Sequence, residues 1–216
     1  MKIHNNYVSI VVLGNFNPSI LTPNFMINYC DFPKGIELKR GDTTVVVSSL
    51  DYGDIAFIAE LERFQAIERN IEDTRNIRIL KYLINYFEIL KYTPINILGV
   101  NFNTTIEKVK QAVFNTLDKS DKIKDFFDIE ELNYSKTINL GVASTTNLSW
   151  KLTYNTADGY KTRTVINLKN NNLIINKNFE IKVNRGENIR DIIILKEYSD
   201  FEKKYSSFLK FLTKGD

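Results

Sequence analysis

The chain has 216 residues, 43% of them hydrophobic, with 14 Phe and 11 Tyr against 9 Gly and 4 Pro. That composition is globular, can fill a sizeable core and excludes intrinsic disorder. A net charge of +3 names no partner, and the lone Cys30 excludes an internal disulfide framework and a cysteine-rich metal site.

The opening residues lack the apolar region of a signal peptide, and no apolar run reaches the ~18 residues of a membrane span. Both features point to a cytoplasmic protein that makes no membrane contact. Asn133-Tyr134-Ser135 and Asn147-Leu148-Ser149 match the glycosylation acceptor pattern, which means nothing without export.

In chain order, Tyr7 to Leu13 reads as a strand from its Val and Ile content. Thr22-Pro23 supplies an N-cap and a proline at the first helical position, opening a short helix through Phe25, Met26 and Tyr29. A strand from Ile36 to Arg40 is expected to turn at Gly41-Asp42 into Thr43 to Ser49. Asp51-Tyr52-Gly53-Asp54 then turns into one long strand from Ile55 to about Glu68. Its alternation puts Ile55, Phe57, Ala59 and Leu61 on one face and Glu60 and Glu62 on the other. From about Glu72 to Tyr92 the period becomes helical, with Ile77, Leu80, Ile84 and Phe87 on one stripe.

Thr93-Pro94 ends that helix. A strand follows to about Phe102, and Thr104-Thr105-Ile106-Glu107 has the capping-box pattern of a helix with Ile106, Val109, Val113 and Leu117 inward. Residues 121–131 form an acidic surface excursion. Strands are expected from Thr137 to Val142, Leu148 to Tyr154, Tyr160 to Leu168 and Leu173 to Val183, joined by Asp-Gly and Asn-rich hairpin links. Ser199-Asp200-Phe201-Glu202 opens a final helix with Phe201, Tyr205, Phe208 and Leu212 on one stripe. Residues 186–196 either extend that helix or form another strand.

The order strand, helix, antiparallel strands, long helix therefore occurs twice, over residues 1–93 and 94–216. Each half opens on a similar stretch: Leu13-Gly14-Asn15-Phe16-Asn17 and Leu98-Gly99-Val100-Asn101-Phe102-Asn103, with the Asn-Phe-Asn units 86 residues apart. That distance exceeds solenoid periods and suits a duplicated unit, in which Phe16 would superpose on Phe102 and Asn15 on Asn101. The expected class is α+β, one compact pseudo-symmetric domain whose curved sheet carries its helices on one face. A helix-grip domain, one sheet wrapped around a long C-terminal helix, is the alternative.

In element order the chain resembles the TATA-binding-protein-like fold, whose two strand–helix–meander–helix repeats share one curved sheet. It lacks that fold's phenylalanine-wedge strands. Asn15-Phe16-Asn17-Pro18, Thr22-Pro23, Arg63-Phe64-Gln65 and Thr93-Pro94 before Leu98-Gly99-Val100-Asn101-Phe102 also look like a sporadic family of uncharacterised bacterial proteins, a resemblance that implies no activity.

The residues single out no catalytic group, metal ligand or cofactor. The one histidine, His4, falls at a terminus expected to fray, and no phosphate-binding glycine run occurs. Asp51 and Asp54 could hold a cation but suit a polar hairpin turn, and Arg40-Gly41-Asp42 reads as a turn. Asn15, Asn17, Asn101 and Asn103 suit strand ends leading into helices; as paired amides they could also face a pseudo-symmetric ligand.

Charge distribution carries the functional signal. Residues 1–93 hold 10 basic and 11 acidic side chains, residues 94–216 hold 19 and 15, and residues 135–184 hold 7 and 2. With Leu148, Trp150, Leu152 and Tyr154 turned to the helices, alternation puts Ser149, Lys151, Thr153 and Asn155 on the opposite face. Thr137 and Asn139 join them, as do Lys161 and Arg163. A polar, basic sheet face suits phosphate contact; a merely solvated face is the structural alternative. The expected function is a non-enzymatic binding protein engaging nucleic acid, or a protein that handles it, through Lys151, Arg163, Lys161, Asn139 and Thr153. A small-molecule binder with a pocket between sheet and long helix, and a carboxylate-dependent enzyme, are the competing readings.

Overall fold

The computed structural model describes residues 2–109, 113, 115, 117, 118, 120–127, 131–140, 146–156, 159–169, 171–183 and 197–214. The expected class holds: the protein is α+β, and its described residues build one open antiparallel sheet of 10 strands. The strands are β1 (Lys2–Gly14), β2 (Arg40–Thr43), β3 (Val47–Asp51), β4 (Ile55–Glu60), β5 (Arg63–Ile71), β6 (Ile95–Glu107), β7 (Asn133–Leu140), β8 (Thr146–Asn155), β9 (Lys161–Lys169) and β10 (Asn172–Lys182). The described helices are α1 (Pro23–Tyr29), α2 (Ile79–Ile89), α3 (Ser120–Phe127) and α4 (Tyr198–Lys214).

Strand order across the sheet is β2-β3-β4-β5-β1-β6-β10-β9-β8-β7. Read outward from the central β1–β6 pair, each half runs through its last strand first and its second strand last. The Asn-Phe-Asn motifs do not share this correspondence. Phe102 lies inside β6 opposite Val8, whereas Asn15-Phe16-Asn17 follows the end of β1. The superposition expected from the motif is therefore incorrect at the level of residues.

Alternation sorts the sheet into two faces. Val8, Ile10 and Val12 of β1, Phe64 and Ala66 of β5, Leu98, Val100 and Phe102 of β6, Ile175 and Phe179 of β10, and Trp150 and Leu152 of β8 are all buried. The helices cover this face. In α2, Ile79, Tyr82, Leu83, Tyr86 and Phe87 form the buried stripe. In α4, Phe201 stacks on Phe179 with centroids 5.0 Å apart, and Tyr205 stacks on Phe102 at 4.4 Å. Phe87 and Phe208, expected to face the sheet, are buried. Thr22 caps α1 as its sequence requires, its Oγ1 accepting from the Phe25 amide at 3.1 Å.

Several local expectations are corrected. The long strand is the β4–β5 hairpin, with Leu61 and Glu62 in its turn and Leu61 half exposed. Its turn is held by the chain leaving β1: Gly14 N–H donates to the Glu62 carbonyl and Phe16 N–H to that of Leu61. Arg40-Gly41-Asp42 lies in strand β2, and the turn falls at 44–46, where Thr44 Oγ1 accepts from the Val46 and Val47 amides. Helix α2 begins at Ile79 because the Glu68 carboxylate reaches from β5 to the Arg78 and Ile79 amides, at 2.6 and 3.1 Å.

Thr104-Thr105-Ile106-Glu107 continues β6 instead of opening a helix. Its residues pair with β1 on one side, and Thr104 to Ile106 pair with β10 on the other, which outweighs a local capping pattern. Val113 and Leu117 are helical and buried as expected. The acidic excursion contains α3, whose Ile123 is buried against the second-half core. Residues 186–196 lie outside the described residues. No described helix is long and apolar enough to cross a membrane.

Candidate functional site

The sheet face opposite the helices is the candidate site. On β8, Ser149, Lys151, Thr153 and Asn155 alternate with Leu148, Trp150, Leu152 and Tyr154, so the expected facing holds. Register then builds the surface. Arg163 of β9 lies opposite Thr153, Lys161 opposite Asn155, and Lys151 opposite Val165. Ser135 and Asn133 of β7 lie opposite Lys151 and Thr153.

Four of the five proposed residues, Lys151, Thr153, Lys161 and Arg163, are thus near neighbours on one face. Asn139 pairs with Asn147 near the far end of β7, where the side chains lie outside the described residues. Lys151 and Arg163 are exposed, and Lys161 and Thr153 are half-buried. Among the described residues, Lys151, Lys161 and Arg163 have no ion-pair or hydrogen-bond partner. Lys169 of β9 and Lys182 of β10 fall on the same face by alternation. One carboxylate interrupts the patch: Glu180 of β10 stands opposite Lys161 in register without pairing with it.

The centre of the face carries amides. Asn6 Nδ2 donates to Asn103 Oδ1 at 2.6 Å and to Thr105 Oγ1 at 2.9 Å, and Asn103 Nδ2 donates to Asn176 Oδ1. One rung along, Asn178 Nδ2 donates to Asn101 Oδ1 at 2.7 Å and Asn101 Nδ2 to Ser9 Oγ at 3.2 Å. Asn101 and Asn103 are therefore mid-strand residues holding β1, β6 and β10 in register, not strand-end caps. Asn17 does act as a cap, its Oδ1 accepting from the Ser19 amide at 3.2 Å. The ladder leaves Asn176 Nδ2 and Asn178 Oδ1 with no partner among the described residues. The alternation of Asn176 and Asn178 with buried Ile175 and Phe179 was the sequence signal for them.

The first half of the face is different in kind. Arg69 Nη1 reaches Asp51 Oδ1 at 3.2 Å and the Gly53 carbonyl, and Arg63 lies 4.0 Å from Glu60 and donates to Gln65 Oε1 at 2.6 Å. Asp51 Oδ1 also accepts from the Gly53 amide at 2.8 Å, and Gly53 has the positive φ of +90° that the turn requires. Asp54 Oδ1 accepts from Asn70 at 3.1 Å. The two aspartates build a turn. Glu60 lies beside Arg63 on this half, while Glu62 sits in the hairpin turn.

Other candidates resolve into structure. His4 is not frayed: it lies in β1 opposite Thr105, with Nε2 3.2 Å from Glu107 Oε1. That is ion-pair distance for a protonated imidazole, but the two atoms are not aligned for a hydrogen bond. Cys30 is fully buried, and burial together with Asp31 pushes its thiol up to about 12, far from nucleophilic use. Buried carboxylates are each engaged: Glu68 with α2, Glu197 with the Tyr160 hydroxyl, and Glu202 with Thr74 at 3.0 Å and Ser206 at 2.7 Å.

Between sheet and α4 the space is filled by Phe102, Phe179, Phe201 and Tyr205, and by a residue not singled out in the sequence, Lys177. Its Nζ donates to Tyr154 Oη at 3.1 Å and Thr164 Oγ1 at 3.0 Å and lies 4.4 Å from the Phe208 ring centroid. Burial holds this amine far below its ordinary value, at about 7.

No family model and no curated protein matches the chain. Among solved structures, a rolling circle replication initiator protein from Geobacillus stearothermophilus is similar at 11% identity, over 93% of this chain and 79% of its own, with a TM-score of 0.35. A likeness that weak carries no argument.

Proposed function

We propose that this protein is a non-enzymatic binding protein that engages nucleic acid through the open face of β8, β9 and β10. The observation that carries the reading is the contrast between the two halves of one face. In the first half Arg63 and Arg69 are occupied by Glu60, Gln65 and Asp51, and Arg40 of the edge strand stands apart opposite Asp51. In the second half Lys151, Lys161 and Arg163 cluster without partners among the described residues. Unpaired cations spaced along neighbouring strands are what a phosphate backbone requires; the adjoining free amide groups of Asn176 and Asn178 add neutral donors and acceptors. The matching strand order of the two halves supports reading them as tandem repeats of the TATA-binding-protein-like kind. Filled space beneath α4 weighs against the small-molecule pocket, and the structural engagement of Glu68, Glu197 and Glu202 weighs against the carboxylate enzyme.

The test is a titration of wild type and the Lys151→Glu/Arg163→Glu double variant against labelled single- and double-stranded DNA and RNA at two salt concentrations. Wild type binds more weakly at higher salt, with ~0.7–0.9 in log–log slope for each phosphate neutralised, and the double variant loses affinity for every sequence. Absence of binding by wild type at ~10 µM and low salt removes nucleic acid as the direct partner, because non-specific binders register there. Binding unchanged by the double replacement removes this face.

A further inference from the structure

The two edges of the sheet are unequal. At one end β2 has 4 residues, Arg40–Thr43, with two charged side chains and a glycine. Short, charged edges of this kind resist strand addition. At the other end β7 runs for 8 residues, Asn133–Leu140, and among the described residues nothing pairs with its outer side.

Its only charged residue does not guard it. Lys136 Nζ lies 2.7 Å from both Asp118 carboxylate oxygens and 5.7 Å from the Trp150 ring centroid, so it is drawn inward over the helix-side core. The strand has no proline or bulge, and its register with β8 is unbroken from Asn133 to Leu140. Ile138 is 58% exposed, although its opposite number Leu148 packs against the core. A long, regular edge whose one charge is neutralised and which exposes an isoleucine is a template for another strand.

We propose that the outer edge of β7 pairs antiparallel with the same edge of a second copy of this chain. A two-fold axis normal to the sheet makes this contact self-complementary. With the axis at Lys136, Ser135 meets Thr137 on the open face, Tyr134 meets Ile138 on the helix side, and the two Lys136 side chains stand opposite each other. Each Lys136 is held by its own Asp118, so what faces across the seam is two neutralised ion pairs instead of two bare cations. The pairing continues the open face across both copies and brings two cationic patches together. Lys151 and its counterpart would stand three strand spacings apart, ~14 Å. Eight residues of edge pairing bury less than a standard interface, so the dimer is weak, in the micromolar range.

The experiment is sedimentation velocity of the full chain from ~5 to ~200 µM, the range in which weak interfaces associate. Wild type moves from monomer to dimer across that range, while Ile138→Lys stays monomeric with an unchanged circular dichroism spectrum. As a second measure, Ser135→Cys and Thr137→Cys chains are mixed in equal amounts and oxidised. The mixture forms a mixed intermolecular disulfide while wild type forms none, because Cys30 is buried. A wild type monomeric at ~200 µM overturns the proposal. So does an Ile138→Lys variant that dimerises like wild type, or the failure of the mixed cysteine variants to cross-link.

Discussion

Lys177→Met isolates the electrostatic cost of burying an amine in the core. In the folded chain the amine is completely buried and its value lies at about 7, against 10.5 for an ordinary lysine. Rings of Phe208, Phe179 and Tyr154 at 4.4, 5.1 and 5.2 Å favour the charged form. A desolvated cation–π contact contributes ~2 kcal/mol, whereas removing an ammonium from water costs several kcal/mol, so desolvation wins. Because the folded value lies below the unfolded one, the unfolded chain holds the extra proton between about pH 7 and pH 10.5. Stability therefore rises with pH through that window. At ~1.4 kcal/mol per pH unit the whole window amounts to ~5 kcal/mol.

Burial raises the hydroxyls of Tyr86, Tyr154, Tyr198 and Tyr205, and their unfolded-state ionisation reverses the trend above ~pH 10. The useful range ends near pH 9.5. Urea unfolding at four pH values from 7 to 9.5 should give Lys177→Met its greatest advantage at pH 7, with wild type closing ~3 kcal/mol of the gap by pH 9.5. Parallel curves for the two proteins would refute the reasoning, since they would mean that residue 177 binds the same number of protons folded and unfolded.

Two further outcomes are expected. Phe87→Ala and Phe208→Ala should each cost ~3–5 kcal/mol in urea unfolding, as for buried aromatics elsewhere; a cost below ~1 kcal/mol at either position contradicts its place in the core. Glu68→Gln weakens the bond to Arg78 Nε at 2.7 Å and leaves an amide against two helix-terminal N–H groups, which should cost ~1–3 kcal/mol. Hydrogen exchange at Arg78 and Ile79 should rise with it, and unchanged protection there would show that the carboxylate does not cap α2.

Short-range patterns determined much of this protein directly from its sequence. Trp150, Leu152 and Tyr154 alternate with Lys151 and Thr153, and that period alone assigned the faces of β8. Thr22-Pro23 opened α1, and the spacing of Phe201, Tyr205, Phe208 and Leu212 set the register of α4, because caps and stripes act within one or two turns. Lys177 was missed, although its place between inward Ile175 and Phe179 was a signal for it.

Tertiary structure decided what depends on partners distant in the chain. Thr104-Thr105-Ile106-Glu107 satisfies both a capping box and a β-branched strand, and only its place between β1 and β10 selects the strand. The similar Asn-Phe-Asn motifs take different positions because one pairs within the central sheet and the other lies beyond a strand end. Above all, the charge of the open face was not a matter of composition. Arg69 meets Asp51, 18 residues away, and is neutralised, while no carboxylate pairs with Lys151 or Arg163 among the described residues. Coulomb attraction falls with distance and is screened by water, so which cations remain free follows from the pairing of strands and not from the count of charges.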